Sequence, residues 1–249
     1  MDKSLFIAMT GAKHNMLAQA AHANNLANVS TTGFKAELSA ARSMPVYYGA
    51  GLPTRAYALA EAPAPDLSQG SLQETGRPLD VAIRGEGFIA VGMPDGSEAY
   101  TRVGSLQQDA FGVLRSEQGL PVLGNGGPIA LPPAESITIG SDGSITVVGL
   151  GEGANAPALI DRIRLVNPDP AELSRSADGL FVRLDADDVL PADGRVQVTS
   201  GYLEDSNVNA VSELTSILSL SRQYELQVKL IQKSEQMSEA SAQLLQSNT

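Results

Sequence analysis

The chain has 249 residues, enough for one large domain or two smaller ones, and 43% of them are hydrophobic. Its 17 Lys and Arg residues against 28 Asp and Glu residues give a formal net charge of −11, which argues against nucleic acid or an anionic membrane surface as a partner. The absence of cysteine excludes disulfides, thiol catalysis and zinc–thiolate sites.

The first predicted element is a helix from Ser4 to about Asn28, a stretch without proline whose only glycine is Gly11. Leu5, Met9, Ala12, Met16, Gln19, Ala23 and Leu26 lie alternately four and three positions apart, and all but Gln19 are apolar. This spacing predicts a narrow, heptad-like seam. The first 17 residues lack an uninterrupted apolar core and a cleavage site, so we expect no cleaved signal peptide. We also expect no membrane insertion, because no run of about 18 apolar residues is present.

The helix ends in the run HANNLANVSTTGF, residues 22–34. Asparagine is unfavourable in a helix interior, because its amide competes for the backbone's hydrogen bonds. Asn24, Asn25 and Asn28 therefore indicate the end of the helix. Either Asn28 or Gly33 suits the positive-φ position that stops a helix, so we predict Gly33 as a helix-stop or turn residue.

Two different segments follow. Residues 35–70 contain Pro45, Pro53, Pro63 and Pro65 and are predicted to form an extended connector. Residues 71–200 contain the short apolar runs DVAI, GFIAV, SITVV, RIRLV, GLFVRL and VQV, separated by turn signals such as PDG. These runs leave no room for the helices of βαβ units, so we predict a mostly antiparallel β domain.

The last predicted element is a helix from about Asn207 to Leu245, roughly 58 Å long at 1.5 Å per residue. Its seam contains Ala210, Leu214, Ile217, Ser221, Tyr224, Val228, Ile231, Glu235, Ser238, Ala242 and Leu245. We therefore predict an α+β fold in which the N- and C-terminal helices pair in coiled-coil fashion around an inserted β domain. The predicted segments are an N-terminal helical assembly segment (1–34), the connector (35–70), the β domain (71–200) and a C-terminal long helix that completes the helical domain (201–249).

One run of residues matches a cofactor fingerprint. Residues 149–154, GLGEGA, fit the pattern G-x-G-x-x-A and follow the strand-like SITVV. The helix that this motif requires would have to fit NAPALIDR, which is short and contains Pro157, so a loop between antiparallel strands is the better interpretation. The two histidines, His14 and His22, lie about 12 Å apart along one helix, too far for one metal ion. We expect no cofactor, no metal and no catalytic residue.

Four stretches of the chain resemble the rod and hook family of bacterial flagellar axial proteins. They are ANNLANVSTTGFKAE, RPLDVAIRGEGFIAV, YTRVGSLQQDAFGVLRSEQGLPVLG and SGYLEDSNVNAVSEL, and they occur in the family's order over nearly the whole chain. Ile89 departs from the second phenylalanine of the family's Gly-Phe-Phe pattern but remains apolar. Among these proteins the resemblance is closest to a proximal-rod member, partly through ARSMPV after the first helix, and a distal-rod member is the alternative.

The resemblance implies a structural protein without catalytic activity. Such proteins pass unfolded through the flagellar type III export apparatus without signal cleavage. They then assemble in the periplasm with other rod proteins and with copies of themselves into the hollow drive shaft of the basal body. Two alternatives remain: a stable monomer whose terminal helices form an intramolecular hairpin, and an exported binding module, against which the low aromatic content of 4% argues mildly.

In such a shaft the two helical segments would supply the assembly interface. On the N-terminal side we predict Leu5, Met9, Ala12, Met16, Ala23, Asn24, Asn25, Leu26 and Asn28. On the C-terminal side we predict Asn207, Asn209, Leu214, Ile217, Tyr224, Val228, Ile231 and Leu245. Our hypothesis is that Asn24 and Asn28, which share a helix face, bond across subunits with Asn207 and Asn209, at a helix start where Asn is a favoured N-cap.

Overall fold

The computed structural model describes residues 3–45, 56–61, 65–151, 157–176, 178–184 and 189–247. Contacts divide the described chain into two units. The first lies within Met1–Ala27, Glu37–Pro63 and Asn209–Thr249, and the second within Asn28–Ala36 and Ala64–Val208. This division rests on contacts between residues. The boundaries of the segments predicted from the sequence, at residues 34, 70 and 200, rest on composition and stay predictions.

The first unit contains two long helices, α1 (Lys3–Ala27) and α2 (Ala210–Ser247). They pack against each other in antiparallel directions, since Gly11 lies beside Gln227 and His22 beside Glu213. A side chain at Gly11 would lie 2.7 Å from Nε2 of Gln227, so the glycine permits this close approach. The two predicted terminal helices are confirmed, and their pairing in coiled-coil fashion stays a prediction. None of the described helices is long and apolar enough to cross a membrane.

The same unit contains two strands, β1 (Ala40–Pro45) and β2 (Ala56–Glu61), within the predicted connector. They pair antiparallel, with Ala40 opposite Glu61 and Pro45 opposite Ala56, and β2 contacts α1. Residues 46–55 and 62–64 of the predicted connector lie outside the described residues.

The second unit is a β domain. Its strands are β3 (Leu72–Glu74), β4 (Val81–Arg84), β5 (Phe88–Gly92), β6 (Glu98–Thr101), β7 (Leu106–Gln108), β8 (Leu114–Ser116), β9 (Ala134–Ile139), β10 (Ser144–Gly149), β11 (Ala158–Arg162), β12 (Leu165–Val166), β13 (Leu173–Arg175), β14 (Phe181–Arg183), β15 (Gln197–Ser200) and β16 (Tyr202–Glu204). A short 3₁₀ helix covers Pro170–Glu172. Each predicted apolar run coincides with all or part of a strand, which confirms the β domain.

Every strand pairing among the described residues is antiparallel. The largest sheet has the order β12-β5-β6-β14-β13, and a three-stranded sheet has the order β11-β10-β9. The strands β15 and β4, β16 and β3, and β7 and β8 form separate pairs. Val91, Leu114, Val122 and Ile145 belong to one apolar core, and Phe88 and Phe181 to a second, with their ring centroids 5.1 Å apart.

The sheet order also explains the run that resembles a dinucleotide fingerprint. Gly149 ends β10, and the chain continues after Gly151 to β11, which pairs antiparallel with β10. Residues 152–156 of the run lie outside the described residues. A dinucleotide fold requires a helix and a parallel strand at this point, so the described chain lacks the frame of that motif.

Candidate assembly surfaces

The face of α1 that meets α2 carries small and polar side chains. Its buried or half-buried members are Ala8, Gly11, Ala12, Asn15, Ala18, Gln19, His22 and Asn25. Nδ1 of His14, Nδ2 of Asn15 and Oε1 of Gln227 are buried without a hydrogen-bond partner among the described residues. Because an unpaired buried polar atom costs free energy, this helix contact is a weak source of stability.

One hydrogen bond between two side chains joins α1 to α2. Nδ1 of the half-buried His22 lies 2.5 Å from Oε2 of Glu213. Glu213 lies in the first turn of α2, where the positive end of the helix dipole stabilises a carboxylate. The bond therefore joins the C-terminal part of α1 to the beginning of α2.

The opposite face of α1 exposes large apolar side chains. Phe6, Met9, Met16 and Leu17 are 59%, 51%, 65% and 52% exposed, and we call these four residues the outward stripe of α1. Successive helical residues are rotated by about 100°, so these positions share one side of the helix. A large exposed apolar patch on a protein usually marks a site of interaction with another molecule.

Helix α2 is apolar on two sides. Ile217, Leu220, Val228 and Ile231 are half-buried on the side towards α1. On the other side Val211, Leu214, Leu218, Leu226 and Leu230 are between 48% and 69% exposed, and we call these five residues the outward stripe of α2. Two apolar sides are typical of a helix that is packed against other protein segments on both sides.

The predicted assembly residues fall on both kinds of surface. Leu5, Ala12, Asn25, Leu26, Asn28, Asn207, Ile217, Val228 and Ile231 are buried or half-buried. Met9, Met16, Ala23, Asn24, Asn209, Leu214 and Tyr224 are exposed. Leu245 lies in α2, but its side chain is outside the described part of the chain. The role of these residues at a subunit interface stays a prediction.

Asn25 is 1% exposed and bonds to the backbone of one residue. Its Nδ2 donates to the carbonyl of Glu37 at 3.0 Å, and its Oδ1 accepts from the amide of Glu37 at 2.9 Å. The side chain of Asn25 therefore pairs with both backbone groups of Glu37, in the way that the backbone of a neighbouring β-strand would. Asn25 thus ties the last turn of α1 to the chain leading into β1.

Two further asparagines lie next to helix termini, Asn28 after the last residue of α1 and Asn209 before the first residue of α2. Oδ1 of Asn28 accepts a hydrogen bond from the hydroxyl of Thr31, in the turn that follows α1. Oδ1 of Asn209 accepts from the amides of Val211 and Ser212 at 3.1 and 3.2 Å, and its carbonyl accepts from the amide of Glu213. Asn209 is therefore the N-cap of α2.

Asn207 belongs to the β domain, where it joins two segments. Its Oδ1 accepts from the amide of Ala36 at 2.8 Å, and its Nδ2 donates to the carbonyl of Asp66 at 2.8 Å. The backbone amide of Asn207 also donates to the carbonyl of Phe34. The amide group of Asn207 is thus engaged within its own chain.

A cluster of three charged side chains lies inside the β domain. Lys35, Arg102 and Glu204 are buried, and each of their side chains is 0% exposed. Nζ of Lys35 lies 2.6 Å from Oε1 of Glu204, and Nη1 of Arg102 lies 3.0 Å from Oε2. The two cations also donate to backbone carbonyls, Lys35 to Ser68 and Arg102 to Gly85. One carboxylate is therefore shared by two buried cations.

The position of Lys35 changes its acidity. Burial lowers the pKa of Lys35 from its usual value of 10.5, and the hydrogen bond and the charge of Glu204 offset part of this shift. The positive charge of Arg102 lowers the pKa of Lys35 further. The cluster depends on Glu204, because this residue supplies the negative charge between the two cations.

Gly33 and Phe34, the two residues before Lys35, also make close contacts within the β domain. Gly33 has a φ of +67°, and a Cβ atom there would lie 2.6 Å from the carbonyl carbon of Arg102. Its amide donates to the carbonyl of Glu204 at 2.7 Å. The guanidinium of Arg175 lies 4.2 Å from the ring centroid of Phe34 and donates to the carbonyl of Lys35. Gly33 lies in the turn that follows α1, which ends at Ala27, and its role in stopping the helix stays a prediction.

The charged cluster was not predicted from the sequence. Its members come from three of the stretches quoted above: GFK contains Lys35, YTRVG contains Arg102 and GYLED contains Glu204. The sequence signal for the cluster was a charged residue within each of three short stretches that are otherwise rich in apolar residues and glycine. Among the described residues, no group of three or more His, Asp or Glu side chains could hold a metal ion.

Three family models match the chain in order. A model described as "Flagella basal body rod protein" matches residues 5–35. One described as "Flagellar hook protein FlgE/F/G D1 domain" matches residues 82–147, and "Flagellar basal body rod FlgEFG protein C-terminal" matches residues 199–244. These matches cover α1 with the following turn, much of the β domain, and α2 with the strands before it.

Curated relatives match almost the whole chain. The flagellar basal-body rod protein FlgF of Escherichia coli (strain K12) is 44% identical over 237 residues, which are 93% of each chain. FlgF of Salmonella typhimurium is 42% identical over 93% of each chain. The rod protein FlgG of Buchnera aphidicola (subsp. Schizaphis graminum) is 32% identical over 98% of this chain and 100% of its own. The chain therefore belongs to the flagellar basal-body rod protein family and is a FlgF-like structural subunit of the rod.

Proposed function

We propose that this chain is a subunit of the proximal rod and joins copies of itself and other rod proteins through α1 and α2. The observation that carries this proposal is the outward stripe on each helix, in a chain that is 44% identical to a FlgF rod protein over 93% of its length. Fully burying a Val, Leu, Met or Phe side chain contributes about 1.5–3 kcal/mol, so the nine residues of the two outward stripes favour association. The predicted interface residues belong to this proposal.

The route to the rod is part of the same proposal. The chain passes through the flagellar type III export apparatus and assembles in the periplasm. Support comes from the 44% identity with a FlgF basal-body rod protein over 93% of this chain. Inactivation of the flagellar export apparatus should keep the chain out of the rod, and its arrival in the rod of such a strain would contradict this route.

The protein acts by packing and not by catalysis. Three titratable side chains with shifted pKa values have structural partners: Lys35 bonds Glu204, Asp109 bonds Arg115 and Asp193 bonds Arg195. Such pairs shift pKa values without a reaction, so they need no substrate to explain them.

Deletion of the gene in its own flagellated host tests the proposal. We expect loss of the hook, the filament and motility, with full recovery when the wild-type gene is supplied in trans. Normal flagella in the deletion strain would overturn the proposal. The binding-module alternative predicts normal flagella and the loss of some other surface property.

The distal rod is the second candidate position, favoured by the 32% identity with FlgG of Buchnera over 98% of this chain. The two positions differ in a complementation test. A proximal-rod subunit restores motility to a strain that lacks its own proximal-rod gene and fails in a strain that lacks the distal-rod gene. The reverse result would assign the chain to the distal rod.

A further inference from the structure

We propose that Asn125 is a site of spontaneous deamidation, in which the backbone nitrogen of Gly126 displaces ammonia from the Asn125 side chain and water then opens the resulting ring. The products are aspartate and isoaspartate at this position. The modification needs no enzyme, so it accumulates with the age of each chain. It concerns one loop of the β domain and goes beyond the proposed role of the chain in the rod.

Asn125 and Gly126 form the only asparagine–glycine pair in the sequence. They lie in the run GNGG, residues 124–127, in the connection between β8 and β9. A following glycine favours deamidation, because it has no side chain to hinder its backbone nitrogen and it adopts a wide range of backbone conformations. The sequence therefore contains one asparagine with the neighbour that this reaction prefers.

The loop around Asn125 has fixed ends and an open middle. The amide of Gly124 donates to the carbonyl of Gly127 at 2.7 Å, and this bond closes the loop. Asn125 and Gly126 lie between the two closing residues, and both are exposed. A Cβ atom at Gly126 would meet nothing within 4 Å among the described residues. Water therefore reaches the reacting atoms, and ammonia can leave.

Neither reacting group is held by a hydrogen bond within the described part of the chain. The carboxamide of Asn125 has no such bond, and the amide of Gly126 donates to no described group. A hydrogen bond at either group would have to break before the nitrogen attacks. The carboxamides of Asn25 and Asn207 are held in this way, because each of them bonds to the backbone of other segments.

The reaction balances with water as its co-reactant. The nitrogen of Gly126 gives its proton to the solvent and forms a bond to Cγ of Asn125. The bond between Cγ and Nδ2 of Asn125 breaks, and Nδ2 takes up a proton from the solvent and leaves as ammonia. Water then adds to the succinimide ring, either at Cγ, which gives aspartate, or at the main-chain carbonyl carbon, which gives isoaspartate.

Two of the aspartate–glycine pairs in the β domain are closed to the same ring formation. Oδ1 of Asp95 accepts from the hydroxyl and the amide of Ser97, and Oδ1 of Asp142 accepts from the same groups of Ser144. These bonds lower the pKa of both carboxyls, so both stay ionised. An ionised carboxylate is a poor target for a nitrogen nucleophile, so these turns serve as internal controls.

Deamidation places a new negative charge beside an existing one. Oδ1 of Asp161 accepts from the amide of Asn125 at 3.4 Å, and the carboxylate of Asp161 also lies against Gly124. A second carboxylate at position 125 repels that of Asp161. Isoaspartate also lengthens the main chain between Gly124 and Gly127. The modification therefore changes both the charge and the backbone of this loop.

Ageing of the purified full-length chain tests the proposal. The wild type and Gly126→Ala are incubated at mildly alkaline pH, and their peptides are analysed at intervals by mass spectrometry that separates aspartate from isoaspartate. We expect both products at position 125 of the wild type. In Gly126→Ala they should form about tenfold more slowly, because the added Cβ hinders the attacking nitrogen. That Cβ meets no neighbour, and Gly126 has no left-handed φ, so the variant keeps the fold.

The wild-type chain in urea provides the rate without the fold. A rate in the folded chain within about tenfold of the rate in urea supports the proposal, and a slower one shows that the loop protects Asn125 and overturns it. Equal rates for the folded wild type and Gly126→Ala also overturn it, because the ring would then not form through this nitrogen. Isoaspartate at Asp95 or Asp142 as fast as at position 125 would contradict the role of the open loop.

Discussion

Glu204 lies 2.6 Å from Lys35 inside the β domain, although 169 positions separate the two residues in the chain. Both side chains are 0% exposed, and the same carboxylate also binds Arg102. Desolvation of ions is costly, so such a cluster is tolerated only while every charge keeps its partners. The cluster therefore makes the fold of the β domain dependent on three distant segments at once.

Loss of the carboxylate should cost more stability than loss of the lysine. Glu204→Gln leaves two buried cations facing a neutral group, and we expect a cost of about 3–5 kcal/mol in the free energy of unfolding. Lys35→Met keeps one carboxylate with one guanidinium, so its cost should be smaller. Urea unfolding followed by circular dichroism measures both.

The exposed carboxylate Glu86 provides a control for that comparison. Glu86→Gln should change the free energy of unfolding by less than about 0.5 kcal/mol. A cost for Lys35→Met equal to or above that of Glu204→Gln would show that the cluster does not depend on its single negative charge.

Gly33→Ala should destabilise the β domain. An alanine at φ +67° is strained, and its Cβ would lie 2.6 Å from the backbone of Arg102. We expect a cost of about 1–3 kcal/mol, measured as a lower midpoint of urea unfolding. Gly126→Ala is the matched control, because a Cβ there meets nothing within 4 Å. Equal midpoints for the two variants would contradict the close approach at Gly33.

Asn25→Leu should loosen the chain after α1. The change leaves the amide and the carbonyl of Glu37 without their hydrogen bonds, at a cost of about 1–3 kcal/mol. Faster hydrogen exchange of the Glu37 amide is the direct measurement. Ala27→Leu adds the same side chain at the exposed end of α1 and should leave that exchange rate unchanged. Unchanged exchange in Asn25→Leu would disprove the role of this amide.

Asp193 should titrate near pH 2. Its hydrogen bonds from the side chain and the backbone of Arg195 lower its pKa from 3.8 to about 2. Because the folded-state pKa is the lower one, the contribution to stability is present above pH 3.8 and is lost as the pH falls through about 2. An NMR titration of the carboxyl carbon measures the midpoint, and Arg195→Ala should raise it. A midpoint of 3.8 in the wild-type chain would contradict the pair.

Local patterns identified the regular elements because each depends on nearby residues. The four-and-three spacing identified both terminal helices, and the short apolar runs identified part of the strands of the β domain. The strands β1 and β2 lie in the predicted connector and were not predicted. The same spacing did not reveal which side of α1 meets α2. Ala12 of the predicted seam is buried, whereas Met9 and Met16 face away from α2, because the small residues Gly11 and Ala12 allow a closer approach of the helices.

By itself the sequence determined the family, the placement of a β domain between two terminal helices and the absence of thiol chemistry, since these follow from local motifs and composition. Tertiary structure alone decided that Lys35, Arg102 and Glu204 share one buried site and that Asn25 bonds Glu37. It also decided that large apolar side chains of α1 lie opposite its contact with α2. Burial and long-range partners depend on how distant segments meet, and one-dimensional spacing does not contain that information.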